Sequence, residues 1–216
     1  MAEHLLLSVG RAWIKTRKRD PYYRKAKAEG YRSRAVYKLM QINKRFRVIH
    51  TGDVVVDLGA APGGWAQLSR ELVGPRGSVV ALDLVRIAPI EGVSLLQGDL
   101  REESTMDRLL ALIAGEADCV LSDMSPRLSG THSLDHARSI ELAEAALMVA
   151  EKVLKPKGNF VTKLFQGDMY TAFRRRVARC FTACRGFTPP ASPARSAEIY
   201  VVAKEWLGPR QPRRNL

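Results

Sequence analysis

Four aspartates, Asp57, Asp83, Asp99 and Asp123, each stand at or just beyond the end of a short apolar run. The runs include Val54-Val55-Val56, Ser78–Leu82, Val93–Leu96 and Asp118–Leu121, and each reads as a strand buried on both faces of a parallel sheet. Acids placed this way collect at the carboxyl edge of the sheet, where open α/β sheets bind their ligands. A fifth run, Asn159–Phe165, contains Lys163 within Phe160-Val161-Thr162-Lys163-Leu164-Phe165. A lysine in such a run is costly unless it is paired or faces a site at the strand end. Glu198 opens a last apolar run, Glu198–Ala203, and an antiparallel strand there would bring it to the same edge. Desolvation of a lysine within an apolar run would depress its pKa, as a general base requires.

The first strand leads into Asp57-Leu58-Gly59-Ala60-Ala61-Pro62-Gly63-Gly64-Trp65. Its glycines allow the backbone to approach a ligand closely, and Trp65 begins a helix. Glycines at 59, 63 and 64 do not match G-x-G-x-x-G, and no Gly-Lys-Ser/Thr follows, so neither a dinucleotide fingerprint nor a P-loop is present. Pro62 has no N–H to offer a phosphate. These features point to an adenosine-type ligand without a pyrophosphate, with S-adenosylmethionine as the leading candidate. Asp83 follows the loop by roughly 20 residues, where a carboxylate can accept both ribose hydroxyls. Asp99, at the third strand end, is placed to accept an adenine amino group.

Charge is divided along the chain. The net +13 splits into +11 over residues 1–47, −6 over 48–168 and +8 over 169–216. Basic ends around an acidic middle favour a polyanion at the termini and a neutral or cationic small ligand at the centre. Tyr22, Tyr23, Tyr31 and Tyr37 alternate with Arg24, Lys25, Lys27, Arg32 and Arg34, a mixture suited to stacking on unpaired bases while gripping phosphates. Nucleic acid is therefore the expected partner.

The elements that must position these residues fit one domain, with residues 1–30 a basic arm, 31–207 the folded domain and 208–216 a basic, disordered tail. Ala12–Gly30 is weakly patterned and broken at Asp20-Pro21. From Tyr31 to Phe46 the apolar residues Ala35, Leu39, Ile42 and Phe46 recur at helical spacing, with Ser33 as N-cap and Lys38 on the same helix. Helices are expected over Trp65–Leu72, Met106–Ile113 and Ile140–Leu154, the last preceded by a polar loop at Gly130–Asp135. Pro156-Lys157-Gly158 stops it. An arginine-rich helix, Asp168–Cys180, carries Arg174 and Arg175. Cys119, Cys180 and Cys184 lack CxxC spacing, so a disulfide framework and a zinc knot are not indicated, and His132 and His136 lack a third ligand. No metal is expected. No apolar run is long enough to span a membrane, and the chain reads as a cytoplasmic protein with reduced thiols.

Five motifs in order resemble the FtsJ/RlmE-type family of ribosomal RNA 2′-O-ribose methyltransferases. They are Arg32-Ser33-Arg34-Ala35 with Lys38-Leu39, the Asp57–Trp65 loop, Ser122-Asp123-Met124-Ser125-Pro126, Lys163-Leu164-Phe165-Gln166-Gly167, and Arg195-Ser196-Ala197-Glu198-Ile199-Tyr200. The resemblance covers about Tyr22 to Trp206. It implies a Rossmann-like α/β fold of seven strands, mostly parallel with the last antiparallel, and helices on both faces. It also implies catalytic residues Lys38, Asp123, Lys163 and Glu198, and S-adenosylmethionine held by Gly59, Gly63, Gly64, Trp65, Asp83, Asp99 and Asp123. Arg32, Arg34, Arg174 and Arg175 would bind RNA. The implied reaction is 2′-O-methylation of a ribose, a uridine's, in large-subunit ribosomal RNA by a monomer. Methylation of tRNA, or a non-catalytic RNA-binding or ribosome-assembly role, is the alternative.

Overall fold

A computed structural model describes residues 20–209. The arm up to residue 19 and the tail from residue 210 lie outside the described residues, so the expected disorder of the tail concerns mostly positions beyond them. The described elements run α1 (Pro21–Ala28), α2 (Val36–Phe46), β1 (Val54–Leu58), α3 (Gly64–Val73), β2 (Ser78–Asp83), β3 (Ser94–Gln97) and α4 (Glu103–Leu112). There follow β4 (Ala117–Ser122), α5 (His132–Val153), β5 (Leu154–Phe165), α6 (Tyr170–Ala178), β6 (Phe181–Phe187) and β7 (Glu198–Trp206).

The strands form one sheet in the order β3-β2-β1-β4-β5-β7-β6. β1 to β5 pair in parallel, and β7 runs antiparallel to both β5 and β6. This is the expected seven-stranded arrangement. Alternation along each strand splits the core into two layers. Val56, Leu58, Val80, Leu82, Phe160 and Leu164 pack beneath α4, α5 and α6, whereas Val55, Val79, Ala81, Leu121, Val161 and Tyr200 pack beneath α1, α2 and α3. Each fully buried aliphatic side chain here contributes on the order of 1.5–3 kcal/mol. No helix among the described residues is long and apolar enough to cross a membrane.

Several local expectations are corrected. Within the arm, Pro21–Ala28 is helical, because Asp20 caps α1 by accepting from the Tyr22 and Tyr23 amides and Pro21 stands at its first turn. Ser33 is not an N-cap. α2 starts at Val36 after Ala35, and Ser33–Ala35 form a turn that leads into it. α5 begins at His132, eight residues before the expected start, because Asp135 turns back to accept from the Ser129 amide and hydroxyl and the Gly130 amide. β6 had no counterpart among the expected strands. It is an edge strand with mostly exposed residues, Thr182, Ala183, Arg185 and Gly186 among them, so it lacks the apolar signature of the others.

Candidate active site

Four charged side chains from four segments meet at the carboxyl edge of the sheet, on the face covered by α1 to α3. Asp123 follows β4, whose last residue Ser122 pairs with Thr162, so Asp123 lies beside Lys163. The Lys163 ammonium nitrogen is 3.0 Å from Asp123 Oδ1 and donates to the Asp123 carbonyl at 2.7 Å. The antiparallel register sets Phe165 opposite Glu198 and Lys163 opposite Tyr200. Glu198 thus reaches the same edge, where its Oε2 is 2.6 Å from Lys38 Nζ of α2. Both lysines are buried, Lys38 at 7% exposure and Lys163 at 5%, so each is stabilised by an acid that is itself largely enclosed. The structure brings Lys38, Asp123, Lys163 and Glu198 together as two ion pairs.

Tyr200 joins the two pairs. Its hydroxyl donates to Asp123 Oδ1 at 2.6 Å, its ring lies 5.8 Å from Lys38 Nζ, and it stacks on Trp65 at 5.8 Å. Burial works to raise the Asp123 carboxyl, but the charges of Lys163 and Lys38 and the hydrogen bonds from Tyr200 and Lys163 outweigh it and hold it below the ordinary carboxylate range. Burial pushes the Tyr200 phenol well above its ordinary value, helped by the charges of Asp123 and Glu198 and by the hydrogen bond to Asp123. Tyr200 is not among the site residues expected from the sequence. The signal was its place two residues after Glu198, which in a strand sends both side chains to one face.

Beside this centre, Gly59, Leu82, Asp83, Leu84, Gly98, Asp99, Leu100, Met124 and neighbours line a cavity of about 420 Å³. Gly59 has φ +69°, and a Cβ there would sit 2.2 Å from Met124 Cγ, so only glycine leaves this wall in place. Gly63, at φ +112°, is the residue before α3, and the Trp65 indole N–H donates to the Ala35 carbonyl at 2.8 Å. Asp83 accepts from the Ala61 and Val85 amides, each at 2.9 Å, which fixes the loop against β2. Asp99 has an ion-pair partner that the sequence reading did not foresee: Arg101 lies 2.5 Å away, and its hydrogen bonds hold the Asp99 carboxyl down to about 2. Asp57 is 1% exposed. Burial, with the nearby charges of Asp123 and Asp83, pushes its carboxyl well up, and the Ala66 amide that faces it falls short of hydrogen-bonding geometry.

The residues expected to hold RNA divide. Arg32 donates to the carbonyls of Pro62, Ala88 and Pro89, and Gln67 accepts from its amide at 2.9 Å. Arg34 pairs with Asp20 and donates to the Ala191 carbonyl. Both guanidinium groups, expected to be free for phosphates, instead tie the α1–α2 segment to loops on either side of the site. Tyr22, Tyr31 and Tyr37 likewise pack on one another, and Tyr31 and Tyr37 donate to Glu71 and Glu29. Arg174 and Arg175 lie on α6, with Arg175 exposed.

The sequence profile of FtsJ-like methyltransferases matches residues 31–206. A protein of Methanothrix thermoacetophila named Ribosomal RNA large subunit methyltransferase E is 53% identical over 189 residues, covering 88% of this chain and 73% of that protein. Its namesake from Methanosarcina barkeri is 54% identical over 191 residues, with 88% and 72% covered. Among solved structures, a Plasmodium falciparum protein described as a ribosomal RNA methyltransferase matches with a TM-score of 0.74 at 24% identity, over 83% of this chain and all of that one. At that identity the likeness speaks for the fold.

Proposed function

The chain belongs to the FtsJ-like methyltransferase family, and on that premise we propose that it methylates a ribose 2′-hydroxyl in large-subunit ribosomal RNA, using S-adenosylmethionine. The observation that carries this reading is the pairing of Lys38 with Glu198 and Lys163 with Asp123 at one sheet edge, bridged by Tyr200. It is supported by relatives above half identity that are named for methylation of large-subunit ribosomal RNA. A uridine is the proposed target, and the protein is proposed to act as a cytoplasmic monomer.

The residues present fit the cofactor. The cavity beside the tetrad is walled by a glycine that admits no Cβ, is bordered by two acids at successive strand ends, and is of a size for an adenosine-type ligand. Gly59, Asp83 and Asp99, which line the cavity, would hold the cofactor, with Asp99 accepting from the ligand while it keeps Arg101. Gly63, Gly64, Trp65 and Asp123 do not line the cavity and are proposed to shape the segments around it. When bound, S-adenosylmethionine supplies a methyl group on a sulfonium, which already has a good leaving group.

The protein's task is then to orient the hydroxyl and relieve it of its proton. Lys163 is proposed as the acceptor of that proton, in the neutral form left once its ammonium has given its own proton to solvent. The Asp123 carboxylate and carbonyl fix its amine, and the Tyr200 hydroxyl holds the carboxylate. Lys38, held by Glu198, sets the other wall of the hydroxyl's site and contributes a positive charge toward the developing oxyanion. Arg174 and Arg175 are proposed to meet phosphates directly. Arg32 and Arg34 would serve RNA by fixing the loops around the site as well as by their charge. Incubating the protein with labelled S-adenosylmethionine and, separately, large-subunit ribosomal RNA, assembled large subunits and tRNA tests the reading. Label confined to tRNA would move the substrate, and label in none of them would end the proposal.

A further inference from the structure

His136 takes no part in the tetrad, yet it is 2% exposed and both ring nitrogens are engaged. It lies in the second turn of α5, on the opposite face of the sheet from Lys38 and Tyr200. Nδ1 is 2.9 Å from the Phe165 carbonyl and Nε2 is 3.2 Å from the Met169 amide. A carbonyl can only accept and an amide can only donate, so the neutral ring carries its proton on Nδ1 and offers a lone pair at Nε2. The Met169 amide is shared, since the exposed Asp168 carboxylate accepts from it at 2.9 Å. That carboxylate also lies 3.2 Å from Nε2. The imidazole spans the two ends of Phe165–Met169, the segment that leaves β5 two residues after Lys163.

Further neighbours make this a clamp. Ser139 Oγ, one turn along α5, donates to the His136 carbonyl at 2.7 Å and accepts from the Phe165 amide at 3.0 Å. Gly167 passes directly over the imidazole, where a Cβ would lie 2.5–2.7 Å from three ring atoms. On the far side of the strand, Phe165 pairs with Glu198 and the Gln166 amide donates to the Ala197 carbonyl at 2.8 Å. The strand end held by His136 is thus the one that sets both Lys163 and Glu198.

We infer that His136 is a positioning residue for methyl transfer, fixing the end of β5 and through it the Lys163–Asp123 and Lys38–Glu198 pairs. This rests on the function proposed above. His136→Leu removes both hydrogen bonds at similar bulk. His136→Asn keeps a donor where Nδ1 stood and gives up the bond to the Met169 amide. Gly167→Ala leaves the histidine but pushes its ring aside.

The experiment measures two quantities in the full chain: single-turnover methyl transfer at saturating RNA and cofactor, and amide hydrogen exchange across Phe165–Met169. His136→Leu and Gly167→Ala are expected to lose about 30–100-fold in rate, the scale of a small misplacement of reacting groups. His136→Asn should recover to within about fivefold of wild type, and cofactor and RNA affinities should stay within about twofold in all three. Exchange should accelerate in the two slow variants and less so in His136→Asn. Wild-type rates in His136→Leu, unchanged exchange, or cofactor affinity falling in step with the rate would each overturn the inference. A wild-type protein that methylates no RNA would sink the functional reading alone, and the clamp would then stand or fall on the exchange data.

Discussion

Changing Tyr200→Phe isolates the hydrogen bond from the Tyr200 hydroxyl to Asp123 of the Lys163 pair. The ring is fully buried, stacked on Trp65 and beside Lys38 Nζ, and phenylalanine keeps all of that. What disappears is one O–H donor, 2.6 Å from the Asp123 oxygen that Lys163 also approaches. A hydrogen bond to a charged group is worth about 1.5–3 kcal/mol. If all of it acts in holding Asp123 and Lys163 for the transition state, the rate falls by about 10–150-fold, at about 1.4 kcal/mol per factor of ten. The pH dependence should shift as well. Asp123 is held below its ordinary range, so its contribution to stability is present above the unfolded carboxylate value and is lost as pH falls through the lower folded one. Without the phenol that folded value rises, so the acid limb of both stability and rate should move to higher pH. Single-turnover methylation across acid to neutral pH, with cofactor affinity measured in parallel, checks this. A wild-type rate with an unmoved acid limb would refute the coupling, and cofactor affinity falling by the same factor as the rate would place the effect in binding.

Further outcomes are expected. Gly59→Ala combines a φ of +69° with a Cβ 2.2 Å from Met124, so cofactor affinity should fall by at least about tenfold in direct titration, with a lowered melting temperature. Lys163→Arg keeps a cation but offers no accessible neutral form, so single-turnover transfer should all but vanish while cofactor binding persists; a preserved rate would reduce Lys163 to steering the hydroxyl. Arg174→Gln with Arg175→Gln should weaken RNA binding and lower the magnitude of its salt slope by about one for each phosphate no longer neutralised, with cofactor affinity unchanged. Arg101→Ala should raise the Asp99 carboxyl from about 2 in an NMR titration, since that arginine supplies the hydrogen bonds that depress it.

The parallel strands and their acid-bearing ends were legible because buried runs such as Val54-Val55-Val56 and Val120-Leu121 carry an unmistakable apolar signal. The tetrad was legible through the resemblance and through the oddity of Lys163 in an apolar strand. What escaped the sequence depends on the meeting of distant segments. β6 is an edge strand with little to bury, so its residues show no pattern until β7 pairs with it. The basic arm reads as weakly patterned because α1 is capped and braced by Asp20 and Arg34, which meet across fourteen residues. Arg32 and Arg34 looked free for phosphates because nothing local reveals that Pro62, Ala88, Pro89 and Ala191 present carbonyls to them. His136 seemed half of an incomplete metal pair until the fold laid Gly167 against its ring.

The most direct measurement supplies S-adenosylmethionine with an isotopically labelled methyl group and the protein's RNA substrate, then digests the RNA to nucleosides for mass spectrometry. The expected result is label on a 2′-O-methylribose from large-subunit ribosomal RNA, present with wild type and abolished in Lys163→Ala while cofactor binding is retained. Label on a base, or equal ribose labelling by Lys163→Ala, would contradict the assignment of the Lys38, Asp123, Lys163 and Glu198 cluster as the centre that methylates ribose.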